Sequence, residues 1–171
     1  SLSQRYGKGL LTFLKNRFVV EWGRGKKRHE AKGLPQGFTA LIPAEELRAL
    51  AGADPQVPPI LVAIAGGEWK GHITTDSIRQ LVDNIFRALE QAYPPDAPTQ
   101  LVAFPAFGLG AGGGEDNRFS LLYAQIEAMQ QGHSQHPHLL PVLVTYSDIV
   151  HRLALAARSK TLSGTPESIF L

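Results

Sequence analysis

The amino-acid sequence predicts an α/β domain in which helices cover both faces of a sheet. Apolar runs typical of strands alternate along the chain with segments that repeat apolar residues at helical spacing. One run, PPILVAIAGG at residues 58–67, is continuously apolar, as expected for a strand that is covered on both faces. The chain has 171 residues, 43% of them hydrophobic and 19% charged, which suits one domain with its own core.

The N-terminal part of the chain predicts short elements separated by a basic loop. Residues 9–17 (GLLTFLKNR) fit an amphipathic helix, and residues 17–22 (RFVVEW) fit either a strand or a continuation of that helix. Residues 23–37 predict a basic, glycine-punctuated loop. Residues 38–43 (FTALIP) predict a strand and residues 43–52 a helix with proline at its start and glycine at its end.

The C-terminal part predicts longer elements. Residues 74–93 have the clearest helical pattern, with Thr74 or Thr75 as the N-cap. The predicted buried stripe of this helix consists of Ile78, Leu81, Val82, Ile85 and Leu89. The elements after it are predicted as a strand at 100–106, a helix at 118–131, a strand at 139–146 and a helix at 147–159. Residues 160–171 predict a loosely ordered tail, so that the predicted domain covers residues 1–159.

The composition excludes several classes of site. Cysteine is absent, which excludes disulfides, thiolate nucleophiles and cysteine zinc sites and favours a reducing, cytoplasmic location. The net charge of +2 gives no indication of a general nucleic-acid coat. The longest apolar run, ILVAIA, is too short to span a bilayer, so we expect no membrane partner. The sequence does not indicate an oligomeric state.

The most distinctive segment is FPAFGLGAGGG, residues 104–114, between a predicted strand and a predicted helix. A strand that leads directly into a helix presents free backbone N–H groups at the positive end of the helix dipole, where anions bind. Glycines permit positive φ and let a phosphate approach the backbone closely. The segment therefore predicts a phosphate or diphosphate site, with a plain glycine turn as the alternative.

Two familiar phosphate motifs fit this segment poorly. GLGAGG at 108–113 satisfies the pattern GxGxxG. That fingerprint belongs in the first strand–helix turn, with an acidic residue about twenty residues further on. Here the corresponding region, HSQHPHLLPVLV, has no carboxylate. A P-loop would require Lys followed by Ser or Thr after the glycines, and the sequence has neither there.

Three stretches together resemble the macrodomain family, which binds ADP-ribose. Residues 104–114 resemble the family's second phosphate loop. Residues 1–18 resemble the first loop and its helix in the branch with a GKG-type loop, whose core here is Tyr6–Gly9. Residues 141–157 resemble the last strand and helix, and Tyr146 stands where an aromatic residue packs on the ligand. The resemblance implies a three-layer α/β/α fold with a mixed sheet between helices.

The resemblance implies that the chain binds ADP-ribose or a related nucleotide diphosphate, free or attached to protein or nucleic acid. It implies no further cofactor and no metal. The predicted ligand-binding residues lie in two glycine-rich loops and at one strand end. They are Tyr6, Gly7, Lys8, Gly9, Pro105, Ala106, Phe107, Gly108, Leu109, Gly110, Ala111, Gly112, Gly113 and Tyr146.

Two other functions stay open, an ADP-ribosyl hydrolase and a degenerate macrodomain-like interaction module. Hydrolases of the family use an asparagine in the first loop, a lysine after the middle strand or an aspartate in the second loop. The matching positions here fall near Ser1, at Gly66 or Gly67 and at Gly112, and none carries the required side chain. Asp116 remains as a weak candidate for a catalytic base. The family's opening strands, which carry an adenine-binding aspartate, have no counterpart in this chain.

Two further clusters admit both a functional and a plain interpretation. His133, His136 and His138 in HSQHPH have residue types that bind metals, but we predict a solvated, proline-containing loop there. The basic segment GRGKKRH at 23–29 has a charge that could attract nucleic acid or concentrate an anionic ligand, but we predict a plain solvated loop, because no interleaved aromatic residues indicate base stacking.

Overall fold

The computed structural model describes residues 6, 9–18, 21–22, 31–32, 34–50, 53–65, 73–109, 118–145 and 147–162. The elements are α1 (Leu10–Phe18), β1 (Glu21–Trp22), β2 (Ala31–Lys32), β3 (Thr39–Ile42), α2 (Ala44–Arg48), β4 (Ile60–Ala63), α3 (Thr75–Ala92), β5 (Gln100–Pro105), α4 (Arg118–Gln135), β6 (Leu139–Val144) and α5 (Asp148–Leu162). Within these ranges no helix is both long and apolar enough to cross a membrane. The chain divides into two compact units, Ser1–Gly71 and His72–Leu171.

The first unit contains two antiparallel strand pairs. β1 pairs with β2, and β3 pairs with β4 in the register Thr39↔Ala63 to Ile42↔Ile60. The segment at 17–22, for which a strand and a helix were both predicted, contains part of each: α1 ends at Phe18 and β1 begins at Glu21. The helix predicted at 43–52 ends earlier, at Arg48.

The core of the first unit forms around α1, α2 and the β3–β4 pair. Its buried side chains are those of Tyr6, Leu10, Ile42, Leu47 and Val57. The continuous apolar run at 58–67 was expected to be covered on both faces. Instead, each of the four residues of β4 is only half-buried. An apolar run therefore identified the strand correctly but not its degree of burial.

The second unit is built on one parallel strand pair. β5 and β6 pair in the register Gln100↔Leu139 to Pro105↔Val144. Parallel strands require a crossover connection, which here runs from the end of β5 through the glycine-rich segment and α4. The described strands thus run in both directions, but they form three separate two-stranded sheets rather than the one mixed sheet that the resemblance implies.

Helix α3 confirms the local predictions made for residues 74–93. The Thr74 hydroxyl accepts a hydrogen bond from the Ser77 amide at 3.2 Å, and the Ser77 hydroxyl accepts one from the Thr74 amide at 2.9 Å. These reciprocal bonds form a capping box. All five residues of the predicted stripe are buried, and Phe86 joins them at 1% exposure. The stripe packs α3 onto α4.

Helix α4 is longer than predicted and ends at Gln135 rather than at 131. Its last turns pack closely on α3, because Gly132 has no β-carbon to collide with the ring of Phe86. The ring of Phe86 also stacks on that of His136, with centroids 5.9 Å apart. These contacts outweigh the weak helical propensity of the glycine and histidine residues in this segment.

Helix α5 also continues beyond its predicted end. It runs to Leu162, so the first three residues of the predicted tail, 160–162, are helical. Thr161 is buried at 7% exposure, and its hydroxyl donates to the Arg158 carbonyl at 2.7 Å. The Lys160 ammonium lies over the ring of Tyr123, 5.1 Å from its centroid. The contact with Tyr123 stabilises the last turn and is not visible in the local sequence, because Tyr123 lies on α4.

Candidate ligand-binding site

The chain leaves β5 through a turn that depends on glycine. Phe104 is buried at 1% exposure, and Gly108 has a φ of 72°. Residues with a β-carbon rarely adopt this conformation. A β-carbon at Gly108 would also lie 3.0 Å from Cγ2 of Ile73 and 3.1 Å from Cδ1 of Leu121. Gly108 is therefore required both by its backbone conformation and by its packing.

The neighbouring side chains anchor this turn to the core of the second unit. Leu109 is buried at 3% exposure and belongs to a cluster contributed mainly by α4 and α5. Phe107 packs against the same cluster, and its ring meets that of Phe104 edge to face at 6.4 Å. The residues that begin the glycine-rich segment are thus held by apolar packing before the glycine run starts.

A buried amide on α4 holds the backbone just before Gly108. Gln125 has no exposed surface. Its Nε2 donates to the Pro105 carbonyl oxygen at 2.8 Å, and its Oε1 accepts from the Phe107 amide at 3.0 Å. Buried polar groups in proteins are normally paired, and the buried amide of Gln125 is paired at both its polar atoms with backbone groups of the turn.

Sequence reasoning missed Gln125, although a signal was present. The buried positions of α4 include Leu121, Gln125 and Met129, which are spaced four residues apart on one face. A glutamine inside such an apolar stripe indicates a buried hydrogen-bonding partner. The identity of that partner depends on the tertiary structure, because Pro105 and Phe107 lie 18 or more residues earlier in the chain.

The predicted first-loop residues lie in the first unit. Tyr6 is buried in the core of that unit at 7% exposure. Gly9 is half-buried directly before α1, and its carbonyl oxygen accepts from the Phe13 amide at 2.9 Å. A β-carbon at Gly9 would meet no atom within 4 Å. Packing therefore gives no reason for glycine at this position.

The structure brings together five of the predicted ligand-binding residues, Pro105 to Leu109, at the end of β5. The others from the second loop and strand end fall outside the described residues. These are Gly110, Ala111, Gly112, Gly113 and Tyr146, together with Gly7 and Lys8 of the first loop and the candidate base Asp116.

A basic and aromatic cluster lies at the N-terminal turns of α3 and α4. It lines a cavity of about 220 Å³ and consists of Thr75, Arg79, Phe119, Ser120, Tyr123 and Lys160. Arg79 in this cluster bonds to Glu127 through Nε at 3.1 Å and Nη2 at 3.0 Å. Sequence reasoning missed the cluster because it assigned Lys160 to the tail.

The histidine-rich segment is not the solvated loop that was predicted. His133 Nδ1 lies 2.9 Å from the Leu139 carbonyl oxygen, and His138 Nε2 lies 2.9 Å from that of Tyr93. His136 Nδ1 lies 3.3 Å from a carboxylate oxygen of Glu90. In the described part of the chain, no three histidine or carboxylate side chains are grouped so as to hold a metal ion. The three rings connect α4 and the start of β6 to their neighbours.

Comparisons with known proteins identify the fold. No family model matches the chain, and no curated protein matches it by sequence. Among solved structures, an aspartate-to-alanine mutant of a macrodomain from Oceanobacillus iheyensis is similar, with a TM-score of 0.62 and 14% sequence identity. The match covers 96% of this chain and 76% of that chain. The chain therefore has a macrodomain-like α/β fold.

Proposed function

We propose that the chain binds ADP-ribose or a related nucleotide diphosphate and acts as a reader of ADP-ribose or of ADP-ribosylated protein or nucleic acid. The observation that carries this proposal is the backbone at the end of β5. Residues 105–107 are held by Gln125, and Gly108 follows with positive φ. In sequence, a run of further glycines leads from there to α4. In a macrodomain-like fold this is a strand end suited to phosphate binding through backbone N–H groups.

The charges at the helix starts support an anionic ligand. Helices α1 and α4, which follow the two predicted loops, have no acidic residue in their first turns. The other described helices have acidic residues there, namely Glu45 and Glu46 in α2, Asp76 in α3 and Asp148 in α5. Glu115 and Asp116 precede α4 in the sequence and lie outside the described residues. Within the described residues, the first turns of α1 and α4 thus contribute no carboxylate of their own at the positive ends of these helices.

The burial of two predicted residues defines how they would contribute. Tyr6 and Leu109 have buried side chains, so in this proposal they contact the ligand only through their backbone. Gly9 has open space beside its α-carbon, which suits close approach of a phosphate. Together with Gly7 and Lys8 it forms the GKG-type first loop of the proposal, and Tyr146 packs on the adenine or ribose.

We propose binding rather than hydrolysis. The side chains on which the family's hydrolysing branches depend have no counterpart at the matching positions near Ser1, Gly66 and Gly112. Backbone N–H groups supply affinity for a diphosphate but no group that activates water.

Calorimetric titration with ADP-ribose, with AMP and NAD as comparison ligands, tests the proposed function. We expect selective binding of ADP-ribose. The Gly110→Glu variant should then weaken binding at least about a hundredfold, because a carboxylate about 4 Å from a phosphate charge costs several kcal/mol. The matched control is Gln131→Glu, which adds the same charge at an exposed position near the other end of α4. Equal affinity of the Gly110→Glu variant and wild type would overturn the site assignment.

A further inference from the structure

Gln125 differs from the other side chains of α4 in what it bonds to. It lies on the apolar face of the helix and has no exposed surface, yet both polar atoms of its amide are bonded to backbone outside the helix. The two bonds grip the chain on either side of Ala106, at the point where β5 ends. Gly108 directly follows Phe107, the second of the two bonded residues.

The two bonds require a side chain that has one hydrogen-bond donor and one acceptor, as a primary amide does. The Pro105 carbonyl oxygen needs a donor, and the Phe107 amide needs an acceptor. A glutamine side chain supplies one donor and one acceptor in a fixed, planar arrangement. A carboxylate supplies only acceptors and a leucine supplies neither, so each would remove at least one of the two bonds that hold this backbone.

The bond to Phe107 also determines which backbone amide a ligand can reach. The Phe107 amide is turned towards α4 and is used by Gln125, so it is not available to a ligand. The amide of Gly108 follows directly, and its direction depends on the orientation of the peptide units at 105–107. Donors that are held in place before the ligand arrives bind it without the entropic cost of ordering a loop.

We propose that Gln125 is a positioning residue for the second glycine-rich loop: it holds residues 105–107 and thereby fixes the direction of the Gly108 amide before a diphosphate binds. This inference rests on the proposed function, because it assigns Gln125 a role in that same site. Gln125 does not touch the ligand. It acts through the backbone of Pro105 and Phe107.

The first test compares Gln125→Leu with Leu89→Ala. Leu89 is buried in α3 at 4% exposure and lies near the C-terminal end of that helix, so its truncation destabilises the second unit without removing a bond to the loop. Amide hydrogen exchange should accelerate about tenfold or more at Phe107 in Gln125→Leu, beyond the change expected from global stability. The affinity for ADP-ribose should fall about tenfold in Gln125→Leu and stay unchanged in Leu89→Ala.

The second test uses pH to restore the bonds. In Gln125→Glu the new carboxyl is buried, and burial favours its neutral form. A neutral carboxylic acid has one donor and one acceptor, like the amide it replaces. The variant should therefore bind ADP-ribose nearly as well as wild type at acidic pH and lose affinity as the pH rises and the carboxyl ionises. Wild type and Leu89→Ala should show no such dependence.

The outcomes separate the inference from the proposed function. Wild-type affinity in Gln125→Leu, with unchanged exchange at Phe107, overturns the positioning role and leaves the binding function standing. Affinity of Gln125→Glu that equals wild type at every pH also overturns it. If the wild-type chain does not bind ADP-ribose, the proposed function fails. The exchange rate at Phe107 then decides by itself whether Gln125 holds the loop.

Discussion

At the scale of single residues, Gly108 determines how the chain leaves β5. Its φ of 72° and its contacts with Ile73 and Leu121 both exclude a side chain. Gly9 offers the opposite case, since its φ is not in the left-handed region and a β-carbon there would meet no atom within 4 Å. The fold requires glycine at position 108, whereas at position 9 there is room for a side chain.

This contrast predicts different effects of the same substitution. Gly108→Ala should lower the free energy of unfolding by about 1–3 kcal/mol, because it combines an unfavourable backbone conformation with overpacking. Gly9→Ala, the matched control, should change it by no more than about 0.5 kcal/mol and should weaken ADP-ribose binding instead. Urea denaturation measures both. A Gly108→Ala variant as stable as wild type would contradict the described turn.

The sequence identifies this glycine-rich turn but not which of its side chains are buried. The glycines stood out because they violate the ordinary composition of a strand–helix connection. The burial of Tyr6 and Leu109 and the grip of Gln125 on residues 105–107 depend on contacts between distant parts of the chain. No local pattern specifies such contacts, so the sequence does not show that these side chains pack inside.

At the scale of elements, the contact between α3 and α4 depends on Gly132. The ring of Phe86 occupies the space where a β-carbon of residue 132 would lie. That ring cannot move away easily, because it is 1% exposed and stacks on Phe104 with centroids 5.9 Å apart and on His136. The two helices approach each other closely at this point only because residue 132 has no side chain.

Gly132→Ala therefore reverses the usual effect of alanine in a helix. Replacing a helical glycine by alanine ordinarily stabilises by about 1 kcal/mol. Here we expect a loss of about 1–3 kcal/mol, because the methyl group overpacks the helix contact. Gln131→Ala, at an exposed position next to it, should be neutral or slightly stabilising. Thermal denaturation of the two variants checks the prediction, and a rise in Tm for Gly132→Ala would refute the close approach.

Element starts were easier to predict than element ends. The Thr74 cap and the buried stripe of α3 depend only on the types and spacing of neighbouring residues, and both predictions are confirmed. The ends of α4 and α5 were predicted too early, because Gly132 and Lys160 read as helix-breaking or tail residues in isolation. Their contacts with Phe86 and Tyr123 keep those segments helical.

At the scale of the whole molecule, the order of elements was enough to predict an α/β fold. The alternation of strands and helices and the glycine-rich connection after β5 indicated the class, and the similarity to a solved macrodomain confirms it at 14% identity. The binding site is harder to predict from sequence. The residues proposed for it fall in two stretches that are separated by about ninety residues of sequence.

The measurement that tests the central claim most directly is a backbone-amide NMR titration of the isotopically labelled 171-residue chain with ADP-ribose. We expect saturable shift changes concentrated at residues 7–9, 106–113 and 146, with AMP giving weaker changes. The β3–β4 pair and the C-terminal half of α3 should stay unaffected. No shift changes, or changes that avoid both glycine-rich stretches, would contradict the proposal that their residues bind a nucleotide diphosphate.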